Sequence, residues 1–276
     1  MRLSLLMVLA LFTACSDFDP RSLLNGPRVL GIVADPPEIR VGMPVRLTAI
    51  EYNPESITRK WSVCLVSLGS VADFQCLDDS LSFTLDDDAQ TVDIMVDPAL
   101  LAAYAAENAD LGASADCGRE CIGRDGQMRT FFDAQVTLET SWADGSTMTT
   151  VKKVRVRLDE EALNTNPGVS NLQVNDAQDP GPVEAGSEVL LTVDVDLSSL
   201  ESYTDTDGRV RDEEATLTWY SSVGKFDLPV TFGTDHDTTL SIPKTLEDMQ
   251  EVDIFVVIRD GRGGTAFEST TIPIAQ

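Results

Sequence analysis

The segment with the clearest potential for chemistry is an acidic stretch in the second half of the chain. Aligned on its glycine, it places Asp205 and Asp207 at positions 3 and 5 of a calcium loop and Glu214 at position 12, with Asp212 between them. Ca²⁺ prefers hard oxygen ligands at such spacings, so these four acids are the candidate metal ligands. Position 1 is Tyr203 instead of Asp, and a strand-like run follows. An acidic surface loop with an Asp-Gly turn is therefore the alternative.

Residues for catalysis are sparse. The single histidine, His236, lies between Asp235 and Asp237, but a triad would also need a placed Ser or Cys, and the sequence has no G-x-S-x-G stretch. The turn-rich residues around it favour an exposed loop. Phosphate loops, nucleotide fingerprints and zinc motifs are also absent from the sequence. We therefore expect a protein that is not an enzyme, with a hydrolase as the least favoured alternative.

The cysteines indicate an exported protein. Besides Cys15 there are four, an even number that predicts two disulfides with three connectivities open. Proximity in the sequence favours Cys64–Cys76 and Cys117–Cys121. A thiolate metal site is the alternative, but it lacks both C-x-x-C spacing and a nearby His.

The first residues carry a targeting pattern. An apolar run, Leu3–Phe12, precedes Thr13-Ala14-Cys15; it is too short to span a bilayer as a helix and has the length of a signal-peptide core. This arrangement resembles the lipobox of bacterial lipoproteins, with Phe12 where Leu is usual. An ordinary secretory signal with an incidental Cys is the alternative.

The lipobox resemblance implies a cellular location. It implies cleavage after Ala14, lipidation of Cys15 with acyl chains such as palmitate, and anchoring in a membrane. In such lipoproteins Asp after the Cys favours the inner membrane. Ser16 in that place implies the outer membrane.

The charge balance limits the partners. The 276 residues include 20 Lys+Arg and 46 Asp+Glu, for a formal net charge of −26. Phosphate binding needs clustered Lys and Arg, so nucleic acid is not an expected partner. Strong attraction to anionic lipid is disfavoured for the same reason.

The elements that position these residues are predicted to be mainly strands, organised twice in one order. Each half has an opening strand, a second strand, a strand with a central Trp (Trp61 and Trp219) and a closing hairpin with an Asp-Gly turn. A short helix is expected before the penultimate strand of each half, at Pro98–Ala109 and Pro243–Gln250. The predicted strands of the first half are Arg28–Ala34, Val45–Ile50, one around Trp61, Leu81–Leu85, Thr91–Val96, Phe131–Trp142 and Thr147–Leu158. Those of the second half are Val169–Val174, Glu188–Val195, Ala215–Tyr220, Glu251–Arg259 and Thr265–Ile274.

These patterns predict an all-β protein with two immunoglobulin-like β-sandwich domains in tandem. The predicted organisation is a signal peptide at 1–14, the lipidated Cys and a tether at 15–26, a first sandwich at 27–158, a polar linker at 159–167 and a second sandwich at 168–276.

The order of strands is similar to the tandem immunoglobulin-like and PKD-like domains of bacterial surface proteins, and Arg259–Gly264 (RDGRGG) resembles the final hairpin of that superfamily. The resemblance implies a lipid-anchored cell-envelope protein that serves as a non-catalytic binding or structural module. Its protein or glycan ligands would contact loops at the sandwich ends. A calcium-dependent adhesion or glycan-binding protein is the alternative. No cofactor is expected except Ca²⁺ in that case.

Overall fold

The fold is known from a computed structural model and is nearly all β. The described residues are 20–54, 57–67, 74–85, 88–107, 131–204, 209–246 and 249–275.

The first body is a sandwich of two sheets. Its strands are β1 (Arg28–Asp35), β2 (Glu38–Arg40), β3 (Pro44–Tyr52), β4 (Thr58–Cys64), β5 (Ser82–Leu85), β6 (Thr91–Met95), β7 (Phe131–Ser141) and β8 (Thr147–Arg157), and its helix is α1 (Pro98–Glu107). One sheet has the order β1-β3-β6 and the other β2-β8-β7-β4-β5; the pairs are antiparallel except β2 with β8. Trp61 is fully buried between the sheets, and its indole N–H donates to the Ala89 carbonyl (3.0 Å). It anchors the core, as a buried aromatic with a satisfied polar group does.

The second body repeats this arrangement. Its strands are β9 (Gly168–Val174), β10 (Glu188–Asp196), β11 (Ser202–Thr204), β12 (Val210–Asp212), β13 (Thr216–Ser221), β14 (Lys225–Phe226), β15 (Val230–Phe232), β16 (Asp237–Ser241), β17 (Glu251–Arg259) and β18 (Thr265–Pro273). The sheets have the orders β14-β16-β10-β9 and β15-β13-β17-β18, and β11 and β12 form a separate hairpin. Trp219 is fully buried here, and its indole N–H donates to Thr231 Oγ1 (3.3 Å). In each body, one sheet contains the two opening strands, and the other contains the Trp strand and the closing hairpin. This division of strands is immunoglobulin-like.

The two predicted helices have different outcomes. The first begins at Pro98 as predicted, with the Asp97 carboxylate accepting from the Ala99 N–H (2.8 Å). The second is wrong for the described residues 243–246 and 249–250, which contain no helix. The Pro243 carbonyl accepts from Gly186 N (3.0 Å) and the Gln250 carbonyl from Ile274 N (2.7 Å). Neighbouring segments, and not a helical turn, use these carbonyls.

The described part of the predicted tether, residues 20–26, contacts the second body. Leu24 N donates to the Ser221 carbonyl (2.8 Å), and Ser221 N donates to the Ser22 carbonyl (3.0 Å). Leu24 is buried. The segment before β1 is therefore paired with the end of β13 in the second body, because it has an apolar side chain to bury and backbone groups to satisfy.

The two bodies pack through outer sheet faces. Leu24, Leu30 and Ile50 form one buried apolar cluster with Val257. Along β3, Val45, Leu47 and Ala49 point into the first core, so Ile50 points outward, as strand alternation requires. Val257 does the same on β17. The described bodies thus share an apolar contact of their own.

Candidate functional site

Asp260 lies in the turn between β17 and β18, where the two bodies meet. One Asp260 oxygen, Oδ1, accepts the backbone N–H groups of Arg262 (2.7 Å), Gly263 (2.9 Å) and Gly264 (2.9 Å). Gly263 has φ +127°, which favours glycine, and a Cβ at Gly264 would lie 2.1 Å from Asp260 Oδ2. The turn thus requires the two glycines, and it presents Arg262 to the contact between the bodies.

Arg262 binds three carboxylates. Its Nη2 donates to Glu38 Oε2 (3.0 Å), and its Nη1 donates to Glu201 Oε2 (3.1 Å) and Glu213 Oε1 (3.3 Å). The Arg262 side chain is only 7% exposed, and those of Glu38 and Glu213 are buried. The guanidinium also lies over the Tyr203 ring, 5.1 Å from its centroid. Its planar fork presents several N–H donors in fixed directions, whereas a lysine would offer a single point charge.

Glu38 connects this arginine to the first body. Besides Arg262, it accepts from Arg157 Nη1 (3.4 Å) and from the backbone N–H of Asn164 (2.7 Å). Arg157 in turn donates to Asp159 Oδ1 (2.7 Å) and to Glu161. A buried carboxylate is therefore held by an arginine from each body, and we call this set the joint (Glu38, Arg157, Glu201, Glu213 and Arg262).

Burial sets the electrostatics of the joint. It raises the pKa of Glu213, opposed by the Glu201 N–H, which donates to Glu213 Oε2 (2.9 Å), and by Arg262. Hydrogen bonding to Asp159 raises the pKa of Arg157. The joint holds more carboxylates than cations, so each arginine compensates negative charge from more than one acid. Its chemistry is that of a clamp between two bodies.

The predicted linker, 159–167, contains no strand, but part of it is built into the joint. Asn164 Nδ2 donates to Asp260 Oδ2 (2.9 Å) and Asn166 Nδ2 donates to the Ala34 carbonyl (2.8 Å). Thr265 N donates back to Asn166 Oδ1 (2.8 Å). These amides tie the connection to both bodies.

Lys152 completes the contact and gives a pH-dependent signature. Its Nζ donates to the Gly263 carbonyl (2.5 Å) and to Thr265 Oγ1 (2.9 Å), and burial lowers its pKa from 10.5 to about 8. Between these values the unfolded chain binds the proton and the folded chain does not, so stability rises with pH. We expect the free energy of unfolding of the native protein, relative to Lys152→Met, to rise between pH 8 and 10.5 by at most about 3 kcal/mol. Urea unfolding of both proteins across this range measures it, and parallel pH profiles would contradict it.

The structure describes two of the five cysteines for which a disulfide or a lipid was predicted. Cys64 and Cys76 form a disulfide with Cα atoms 5.6 Å apart, one of the two favoured pairings. Cys15, Cys117 and Cys121 lie outside the described residues, so lipidation and the second disulfide stay predictions.

The candidate calcium ligands lie on and beside the β11–β12 hairpin. Asp212 faces Ser202, whose hydroxyl donates to Asp212 Oδ1 (2.5 Å), and Glu214 is exposed. Asp205 and Asp207 lie outside the described residues. Within the described residues, no group of three or more His, Cys, Asp or Glu side chains could hold a metal ion. Calcium binding at this loop stays a prediction.

His236 lies in a tight loop. Its Nε2 is 2.8 Å from the Gly233 carbonyl, and Asp235 and Asp237 are both exposed. The loop before β16 uses the ring for a local backbone contact. In the part of the chain that the structure describes, no helix has the length and apolar character needed to cross a bilayer.

Sequence reasoning missed the joint. Glu38, Arg157 and Arg262 are far apart in the chain, and nothing in their spacing brings them together. One signal was available: the run EVDIFVVIR in β17 has apolar residues on both strand faces, at Phe255 and Val257 as well as at the core positions. A strand that is apolar on both faces is covered on both.

Comparisons with known proteins add little beyond the fold. No family model and no curated sequence matches the chain. Among solved structures, it is similar to the N-terminal Ig1-2 module of the Drosophila receptor protein tyrosine phosphatase DLAR (11% identity, covering 91% of this chain and 99% of that one, TM-score 0.27). It is also similar to a Ca²⁺-stabilized, ice-binding adhesin of an Antarctic bacterium (14% identity, covering 93% of this chain and 50% of that one, TM-score 0.24). A third similar structure is SGBP-B of the mixed-linkage glucan utilization locus of Bacteroides ovatus (9% identity, covering 95% of this chain and 46% of that one, TM-score 0.21). With TM-scores this low, none carries an argument about ligands or location.

Proposed function

We propose that the chain is a lipid-anchored outer-membrane protein whose two sandwiches act as one rigid, non-catalytic binding or structural module. The joint carries the proposal. A clamp of ion pairs, with Arg262 on three carboxylates, holds side chains of both bodies in one hydrogen-bonded network. Motion between neighbouring bodies is the default unless their interface is apolar and well packed, and here Val257 is buried against Ile50.

Rigidity gives such a module its use. Loops at the ends of the two sandwiches are held at a fixed distance and orientation, so a protein or glycan that contacts both loses little conformational entropy on binding. The strong negative charge of the chain favours partners that are neutral or basic.

The start of the chain supports a position close to a membrane. In this proposal the acyl chains are attached to Cys15, the cysteine of the lipobox-like residues, and Ser22 is already paired with Ser221 of the second body. Seven residue steps separate Cys15 from Ser22, at most about 25 Å of extended chain. The two bodies would therefore stand directly on the lipid surface.

Metabolic labelling tests the anchor. With a palmitate analogue, we expect the native chain to be labelled and Cys15→Ser to fall to background, because the thiol of Cys15 is the attachment point. Cys64→Ser, which replaces a different cysteine and opens the Cys64–Cys76 disulfide, is the matched control and should keep full label. Equal label on the native chain and Cys15→Ser would overturn the proposal.

A further inference from the structure

The second body has an exposed apolar edge. Leu228, Val230 and Phe232 lie within five residues and are 54%, 37% and 56% exposed. Thr231 between them is buried against Trp219, so Val230 and Phe232 point away from the core. Scattered single apolar residues are ordinary on a surface, but a cluster on the terminal strand of a sheet calls for a cover. We call Leu228, Val230 and Phe232 the edge patch.

The start of the chain reaches the molecule beside this patch. Trp219 N donates to the Pro229 carbonyl (2.9 Å), and Ser221 N donates to the Ser22 carbonyl (3.0 Å). Residues two apart in a strand direct their N–H groups to the same side, so β15 and residues 22–24 follow one another along the same edge of β13. Leu23 pairs with Ser221 about 7 Å along the strand from Trp219.

The short distance to the lipidation site limits what can cover the patch. Cys15 is eight residue steps from Leu23, at most about 30 Å of extended chain. We propose that the edge patch rests on the lipid surface that holds the acyl chains of Cys15, with Phe232 and Leu228 in the interfacial region. This inference rests on the proposed lipid anchor and names the face of the module that meets the membrane.

The charges around the patch define the kind of lipid. Asp227, next to Leu228, accepts from the Thr239 N–H (2.8 Å) and from Thr238, and these hydrogen bonds lower the pKa of Asp227. Asp235 and Asp237 follow Phe232, with Lys225 as the nearby cation. Anionic headgroups would be repelled by these acids, so the surface is one of zwitterionic lipid.

Fluorescence quenching in vesicles tests the contact. The full-length lipidated protein is placed in phosphatidylcholine vesicles, and an indole is added by Phe232→Trp. The three native Trp residues are buried, so the native protein supplies the background. We expect brominated phosphatidylcholine to reduce the added fluorescence at least twofold and the vesicles to protect this indole from acrylamide.

Phe267→Trp is the matched control. Phe267 lies on β18, at the other end of the same sheet and about 14 Å from β15, and the first body packs on Val257 between them. A flat surface cannot touch both positions, so the indole added there should stay open to acrylamide and unquenched by lipid. Val230→Trp repeats the test if Phe232→Trp does not fold.

The outcomes separate the two proposals. A chain that has no acyl mass and does not float with vesicles overturns the anchor and this inference together. A chain that floats, with the Phe232→Trp indole no more quenched than the Phe267→Trp indole, overturns the edge contact alone. Protection from acrylamide without vesicles that rises with protein concentration also overturns it, because a second copy would then cover the patch.

Discussion

Replacing Arg262 with methionine is expected to lower the free energy of unfolding by about 3–5 kcal/mol, because it leaves buried carboxylates without their cation. Glu213 and Glu38 are buried and both accept from Arg262. Methionine keeps an unbranched apolar stem in place of the arginine methylenes and lacks the guanidinium, so the loss reports mainly the missing charge and its hydrogen bonds. Urea denaturation followed by fluorescence of the buried tryptophans measures it.

The matched control is Arg46→Met. Arg46 pairs with Asp93 (3.0 Å), but their side chains are 63% and 60% exposed, so we expect little change in the free energy of unfolding. Adding Glu213→Gln to Arg262→Met should recover part of the loss, since it removes one uncompensated acid. Equal losses for Arg262→Met and Arg46→Met, or no recovery in the double variant, would show that the joint is not a clamp.

Much of the fold follows from the sequence. Two local signals indicate the strands: the alternation of apolar and polar residues around Trp61 and Trp219, and the Asp-Gly turn of the first closing hairpin. Both signals are local because they depend only on neighbouring residues in the chain. The helix predicted at Pro243–Gln250 is absent from the described residues of that range, because hydrogen bonds from distant segments outweighed a local start signal.

The joint could not be predicted in this way. Glu38 and Arg262 are 224 residues apart, and their pairing depends on how two bodies dock. Glu38 and Glu213 are buried, and only the folded chain shows that these two of its many acids hold the bodies together. The contacts of the tether could not be predicted for the same reason, since Leu24 finds its apolar partners in both bodies.

Ile50→Asp should open the contact between the bodies while each sandwich stays folded. Ile50 is buried against Leu24, Leu30 and Val257 but points away from the first core. An unpaired carboxylate there costs about 3–5 kcal/mol, and separating the bodies lets water reach it. We expect the amide of Leu24, which donates to Ser221, to exchange with solvent about 100-fold faster, while amides of β4 and β7 stay protected.

Two variants on the same strand make this result specific. Ile50→Val keeps the apolar contact and should change exchange little, since such a change costs about 0.5–1.5 kcal/mol. Leu47 lies three residues before Ile50 on β3 and faces the core of the first body. Leu47→Asp places the charge in that core and should unfold the first body outright. If Ile50→Asp behaves like Leu47→Asp, the two bodies are one cooperative unit, and no rearrangement at the joint can occur without loss of the fold. If it opens the contact alone, the joint and the apolar cluster are what hold two separately stable sandwiches in register.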